Sequence, residues 1–234
     1  MKTIGLLGGM SWESSLLYYQ IVNQATRDRL GELHSAPCIL YSVDFAPIAA
    51  WQQQGDWAAA ARVLCAAAQT LERAGADVVV LCTNTMHKLA AEIQASIEIP
   101  LLHIADAIAA RIQAAGLQTV ALLGTRFTME QDFYTGRLAD RHNIIAAVPE
   151  PAARETVHRI IYDELCQGKI LPASRSQCRE ILMNLVAAGA EGLVLACTEL
   201  ELLLTVEDVP MPLFPTARLH ALAAVDWALR SERD

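Results

Sequence analysis

The sequence predicts an α/β protein of two pseudo-symmetric domains, each a mostly parallel sheet flanked by helices. Two observations carry this. First, short apolar runs alternate with longer amphipathic runs rich in alanine, the pattern of strands buried on both faces between helices. Second, the chain repeats itself. IGLLGGMSWESS at Ile4–Ser15 is echoed by VALLGTRFTMEQ at Val120–Gln131, and AGADVVVLCTNT at Ala74–Thr85 by AGAEGLVLACTE at Ala188–Glu199, each pair about 115 residues apart. A period that long marks duplicated domains rather than a solenoid, whose repeats run roughly 20–50 residues.

The elements follow in order. Strands are expected over Thr3–Leu7, Cys38–Val43, Val78–Leu81, Thr119–Leu123, Ile144–Ala147 and Leu193–Ala196, with short ones at Pro100–His103 and Pro212–Phe214. Helices are expected over Trp12–Arg29, Trp57–Ala74, Lys88–Ser96, Ile104–Ala115, Met129–Arg141, Ala152–Gln167, Ala173–Ala188 and Ala217–Ser231. Gly75, Gly116 and Gly189 each follow a helix and precede a strand, where a left-handed cap is wanted. The expected domains are residues 1–103 with 216–234, and 104–215. Ligands bind at the carboxyl ends of parallel strands. The loops Gly8–Ser14, Cys82–His87, Gly124–Thr128 and Cys197–Glu201 all lie there, so an active site in the inter-domain cleft is expected.

Composition narrows the class. The 234 residues are 53% hydrophobic and 19% charged, enough for a sizeable core. Net charge is −8 with no basic stripe, which argues against nucleic acid. No apolar run reaches the roughly 18 residues of a membrane span. The start MKTIGLLGGM lacks a small-residue cleavage site, and its LLG recurs at Leu122–Gly124, so it is not read as a signal. Six cysteines form no CxxC and no zinc-like spacing, so no metal is expected. They fit reduced, cytoplasmic thiols, most of them buried.

The loops suggest chemistry. Gly8 and Gly9 let a ligand approach backbone N–H groups, and Ser11 can cap the next helix, whose N-terminus favours an anion. Thr128 and Gln131 have capping-box spacing. Gly5–Gly9 lacks the dinucleotide fingerprint, and Gly168–Lys169 is followed by Ile170, so there is no Walker A motif. A thiol at a strand end near helix N-termini can have a lowered pKa and serve as base or nucleophile. Two such loops, CTNT from Cys82 and CTE from Cys197, would set one proton carrier on each face of a substrate carbon. A cofactor-free racemase needs that geometry.

These residues resemble the aspartate/glutamate racemase superfamily, nearest its enterobacterial aspartate/glutamate-specific branch. VLCTNTMHK, LVLACTEL, GLLGGMSWES and ALLGTRFTMEQDFY carry the likeness, which covers essentially the whole chain. The resemblance implies a two-base mechanism without pyridoxal phosphate or other cofactor, a homodimer, a small acidic amino acid as substrate, and a last helix packed on the first domain. Hydantoin racemases, maleate isomerases and arylmalonate decarboxylases are similar alternatives. A two-lobed acidic-amino-acid binding protein is an alternative of another class. Pyridoxal chemistry would need a lysine, and Lys2, Lys88 and Lys169 are the only three.

The family's first signature reads Cys-Asn-Thr, whereas here Thr83 precedes Asn84 and Thr85. Setting Ala74-Gly75-Ala76 against Ala188-Gly189-Ala190 gives an offset of 114 and, ungapped, pairs Thr83 with Cys197 and Cys82 with Ala196. A shift of one residue turns a strand side chain to the other face. Thr83 and Cys197 are therefore the expected catalytic pair. Pairing Cys82 with Cys197 needs an insertion and stays the alternative. The resemblance gives Cys197 the L-enantiomer's α-proton. Asn84, Thr85 and Thr198 are expected to meet the α-carboxylate, and Met10, Gln52 and Thr125 match substrate-lining positions. Gln52 would take the side-chain carboxylate. Glu164 would meet the ammonium or be solvated on its helix, and Glu199 would orient a proton at Cys197 or cap a helix. His87 and His103 read as structural.

Overall fold

The computed structural model describes residues Met1–Arg230. The chain divides into two compact units: Met1–Ile104 with the chain from His220 onward, and Ala105–Leu219.

The first unit begins with β1 (Ile4–Gly8), α1 (Trp12–Leu30), β2 (Cys38–Ser42), α2 (Phe45–Gln54), α3 (Trp57–Arg73) and β3 (Val78–Leu81). A 3₁₀ turn (Thr85–Leu89), α4 (Ala90–Ala95) and β4 (Leu101–Leu102) follow. The sheet order is β2-β1-β3-β4, all parallel. Central strands β1 and β3 are buried along their whole length, which is why both read as unbroken apolar runs. Leu7, Leu64, Leu71 and Leu81 join in one core cluster, each contributing about 1.5–3 kcal/mol by leaving water. Edge strand β2 is half-buried to exposed.

The second unit repeats the plan. It holds α5 (Ile104–Ala114) from Ala105 onward, then β5 (Thr119–Gly124), α6 (Arg126–Glu130), α7 (Thr135–His142), β6 (Ile145–Ala147) and α8 (Pro151–Arg159). One π turn (Ile160–Glu164) and one 3₁₀ turn (Leu165–Gln167) extend α8, then come α9 (Pro172–Ala187), β7 (Gly192–Ala196), α10 (Leu200–Leu203) and β8 (Leu213–Pro215). The sheet order is β6-β5-β7-β8, again all parallel. Even the strand entrances match. The Thr3 N–H donates to Asp77 Oδ2 at 2.6 Å and Asp77 N–H to the Thr3 carbonyl at 2.9 Å. Thr119 and Glu191 make the same reciprocal pair, both at 2.9 Å.

Helix α11 (Thr216–Leu229) leaves the second unit and ends in the first. There His220 Nδ1 meets the Tyr18 hydroxyl at 2.9 Å, Ala228 accepts from the Lys2 N–H, and Asp226 pairs with Arg29. Ser231, the last residue of the helix expected here, lies outside the described residues.

Several expectations need correction. Helix α2 has no counterpart in the sequence reading. Asp44 caps it by accepting from the Ala46 N–H, Pro47 fits its first turn, and Gly55 ends it in the left-handed region. Met129–Arg141 is two helices, not one. Met129 and Tyr134 are both buried, yet five residues of continuous helix would turn them about 140° apart, so the chain breaks between them. Lys88–Ser96 starts earlier, as a 3₁₀ turn, and Ala152–Gln167 changes to a π turn at Ile160. Thr128 is not a cap: α6 begins one turn sooner on Thr125, whose Oγ1 accepts from the Thr128 N–H.

Candidate active site

In the first unit, β1 and β3 deliver two loops side by side. Gly9 follows β1 at φ +97°, and a Cβ there would lie 2.2 Å from the Val43 carbonyl, so only glycine fits. The sequence reading offers its N–H to a ligand; in the structure that N–H instead donates to Ser15 Oγ at 2.8 Å. Ser11 caps α1 by accepting from the Ser14 N–H. Met10 is buried in the core cluster that holds Ile48 and Met86. Gln52 is buried as well, with Nε2 2.8 Å from Met86 Sδ.

Cys82 stands one residue past β3, and its N–H donates to the Leu7 carbonyl at 2.9 Å. It has no accessible surface. Its Sγ is turned to the Val80 carbonyl at 3.5 Å, and burial drives its thiol far above the usual range. Thr83 is half-buried. Asn84 and Thr85 are buried at the start of the 3₁₀ turn. His87, from the same turn, points Nδ1 at the Thr83 carbonyl at 2.7 Å.

In the second unit, β7 delivers Cys197, Thr198 and Glu199. Cys197 is 8% exposed and belongs to the core cluster with Tyr162, Leu165 and Leu200. Its Sγ donates to Glu199 Oε2 at 3.0 Å, and the Thr198 hydroxyl donates to the same oxygen at 2.7 Å. Burial first, then the Glu199 charge, hold the thiol well above its ordinary pKa. The lowered pKa expected from the strand-end position is therefore wrong for the resting protein. Cys197 is a thiol that donates to a carboxylate oxygen. Glu199 opens α10 without making a side-chain cap; its carboxylate instead accepts from the Cys197 thiol and the Thr198 hydroxyl. Thr125 is buried at the end of β5, with Oγ1 3.2 Å from Thr128 Oγ1.

Glu164 is not solvated on its helix. It is 9% exposed, accepts a hydrogen bond from Ser174 Oγ, and lies 3.6 Å from Arg159. These partners hold it inside the second unit, and the π turn carries it inward. The thiols are more varied than expected: Cys82, Cys178 and Cys197 are buried, Cys38 and Cys65 are half-buried, and Cys166 is exposed; none is in a disulfide.

A family model described as Asp/Glu/Hydantoin racemase matches residues 7–224. The chain belongs to that family. Among solved structures, an Asp/Glu racemase assignment from Yersinia pestis is 51% identical, with TM-score 0.93 over 98% of this chain and all of that one. An aspartate racemase homologue from Pyrococcus horikoshii OT3 is 32% identical, with TM-score 0.84 over 98% of this chain and all of that one. The Picrophilus torridus aspartate racemase shares the fold at 21% identity, with TM-score 0.76 over 97% of this chain and 94% of that one. Among the described residues no helix is long and apolar enough to cross a membrane.

Against this racemase frame, sequence reasoning missed two residues. Tyr162 packs against the core cluster that holds Cys197, and burial first, then the Glu199 charge, push its phenol up. It sits in the π turn, where the sequence reading has an unbroken helix. Glu201 has one carboxyl oxygen buried without a partner. The other takes the Ala217 N–H at the start of α11, and burial lifts the carboxyl to about 7. Its sequence neighbourhood gave no sign of that burial.

Proposed function

We propose that the protein is a cofactor-independent racemase that interconverts L- and D-aspartate, glutamate or both. Cys197 is the base on the face of the L-enantiomer and Thr83 the acid on the opposite face. The observation that carries this is the thiol of Cys197 hydrogen-bonded to Glu199 at 3.0 Å at the carboxyl end of β7. The reading requires the loops after β3 and β7 to address one substrate from opposite sides.

The proton steps balance. Cys197 passes its thiol proton to the Glu199 carboxylate. The thiolate takes the α-proton, and the electron pair spreads into the substrate α-carboxylate. Asn84, Thr85 and Thr198 are suited to that carboxylate, and donors there stabilise the charge as it develops. Thr83 delivers a proton to the opposite face and is restored from water, while Glu199 releases its proton to water. A hydroxyl ionises far less readily than a thiol, so the two directions differ in kcat and KM while their kcat/KM ratio stays at one.

Met10, Gln52 and Thr125 line the substrate in this reading, Gln52 through its amide. Glu164, already held by Ser174 and Arg159, is the least suited to reach an ammonium. Lys88 Nζ stacks over the Trp57 ring at 4.2 Å, a poor position for a Schiff base. A cytoplasmic location agrees with six cysteines outside any disulfide. A homodimer has a surface to use: Trp12, Leu16 and Tyr19 on α1 and Leu40 on edge strand β2 are all exposed. Sedimentation of the wild type against Leu16→Glu tests that.

Proton NMR of L-aspartate and L-glutamate in D2O tests the activity. Loss of the α-proton signal with the D-isomer appearing is expected. Binding without exchange would favour an acidic-amino-acid binding protein and remove the racemase.

A further inference from the structure

We infer that His87 is a positioning residue for Thr83: its imidazole clamps the Thr83 carbonyl to the Ile104 N–H. The inference rests on the reading of Thr83 as the proton carrier opposite Cys197. The 3₁₀ turn creates the need for a clamp. In an α-helix the His87 N–H would bond to the Thr83 carbonyl, four residues back. Here it bonds to the Asn84 carbonyl at 3.1 Å instead, and the Thr83 carbonyl is left to the His87 ring at 2.7 Å.

The partners fix the tautomer. A carbonyl only accepts, so Nδ1 carries the proton. The Ile104 N–H only donates, at 3.1 Å, so Nε2 is bare. Ile104 opens α5, and its N–H is one of the donors a helix start leaves unpaired. The ring is 2% exposed and packs edge-on against His103 and His220, with centroids 4.7 and 5.6 Å away. One neutral imidazole thus ties the peptide that carries Thr83 to the backbone of Ile104, within the first unit. Without it that peptide is free to turn, and the Thr83 hydroxyl turns with it.

Two isosteric variants separate positioning from simple support. His87→Asn keeps a donor where Nδ1 sits and loses the acceptor for Ile104. His87→Gln keeps an acceptor where Nε2 sits and loses the donor to Thr83. Each is assayed with L-aspartate in D2O, reading α-deuteration and inversion in the same sample. In His87→Gln, inversion is expected to fall about tenfold or more, a modest share of what misplacing a catalytic group can cost. Deuteration with retention, which needs Cys197 with Glu199 but not Thr83, should stay within about twofold of wild type. His87→Asn should recover most of the inversion. Recovery by Gln alone, or equal loss of inversion and exchange in both variants, would overturn the positioning role and leave the racemase standing. Absence of exchange in the wild type would remove the racemase reading and this inference with it.

Discussion

Cys82 and Ala196 occupy the same register position in two sheets of one design. Leu7 faces Leu81 across β1 and β3, and Leu123 faces Leu195 across β5 and β7. Each central strand then ends on a glycine, Gly8 or Gly124. Gly124 faces Ala196, and Cys82 N–H reaches back to the Leu7 carbonyl. One residue further on come Thr83 and Cys197. The sheets therefore support the ungapped pairing of the two halves, independently of any sequence alignment. Ala196 also shows what the position needs: a small buried side chain. Cys82 supplies one with sulfur in it.

Thiol labelling should follow this geometry. Treatment of the native protein with iodoacetamide at neutral pH should modify exposed Cys166 first, and Cys82 only on unfolding. Peptide mass spectrometry reads the order. Early labelling of Cys82 would mean that its strand end opens toward solvent.

Glu199→Gln should separate acidity from turnover. The Glu199 charge and its hydrogen bond both raise the Cys197 pKa. Their removal lowers that pKa, so alkylation of Cys197 at neutral pH speeds up. Racemisation should nevertheless fall, by about 10²-fold or more, because the acceptor for the thiol proton is gone. The pH dependence of alkylation, set beside kcat, checks both halves.

Glu201 should set a pH dependence of stability. Its carboxyl titrates near 7 in the fold against an ordinary value of 4.5, so between those limits the native state binds more protons than the unfolded one. Stability contributed by this group is intact below about 4.5 and is lost as pH rises through 7. Glu201→Gln keeps an acceptor for Ala217 without the charge. The variant should gain on wild type by about 2–3 kcal/mol between pH 5 and pH 8. Urea unfolding at the two pH values measures it.

Gly9→Ala should destabilise the fold by about 2 kcal/mol or more. The residue would carry a positive φ, and its Cβ would press on the Val43 backbone. Urea midpoints report the loss.

Much of this was legible in the sequence because the signals were local and periodic. Val78–Leu81 read as a buried strand because its four residues are apolar on both faces. Gly75, Gly116 and Gly189 marked helix ends, and all three have positive φ. Trp57–Arg73 was visible from its alanines and its amphipathic period. The duplication brought Thr83 and Cys197 into correspondence. What stayed hidden depends on long-range packing. The chain break before Tyr134, the π turn that carries Glu164 to Ser174, and the burial that raises Cys197 all require knowing what lies opposite in the core. His87 read as structural, and its role is the subtler one of holding a carbonyl that the 3₁₀ turn leaves unpaired.

The most direct measurement compares Cys82→Ala and Cys197→Ala for racemisation of L-aspartate, followed by polarimetry at equal protein concentration. Cys82→Ala places in the first sheet the residue that Ala196 already supplies in the second. It should retain activity within a few-fold of wild type, while Cys197→Ala should lose it. Loss of activity in both variants, with both still folded, would return Cys82 to the chemistry and contradict the pairing of Thr83 with Cys197.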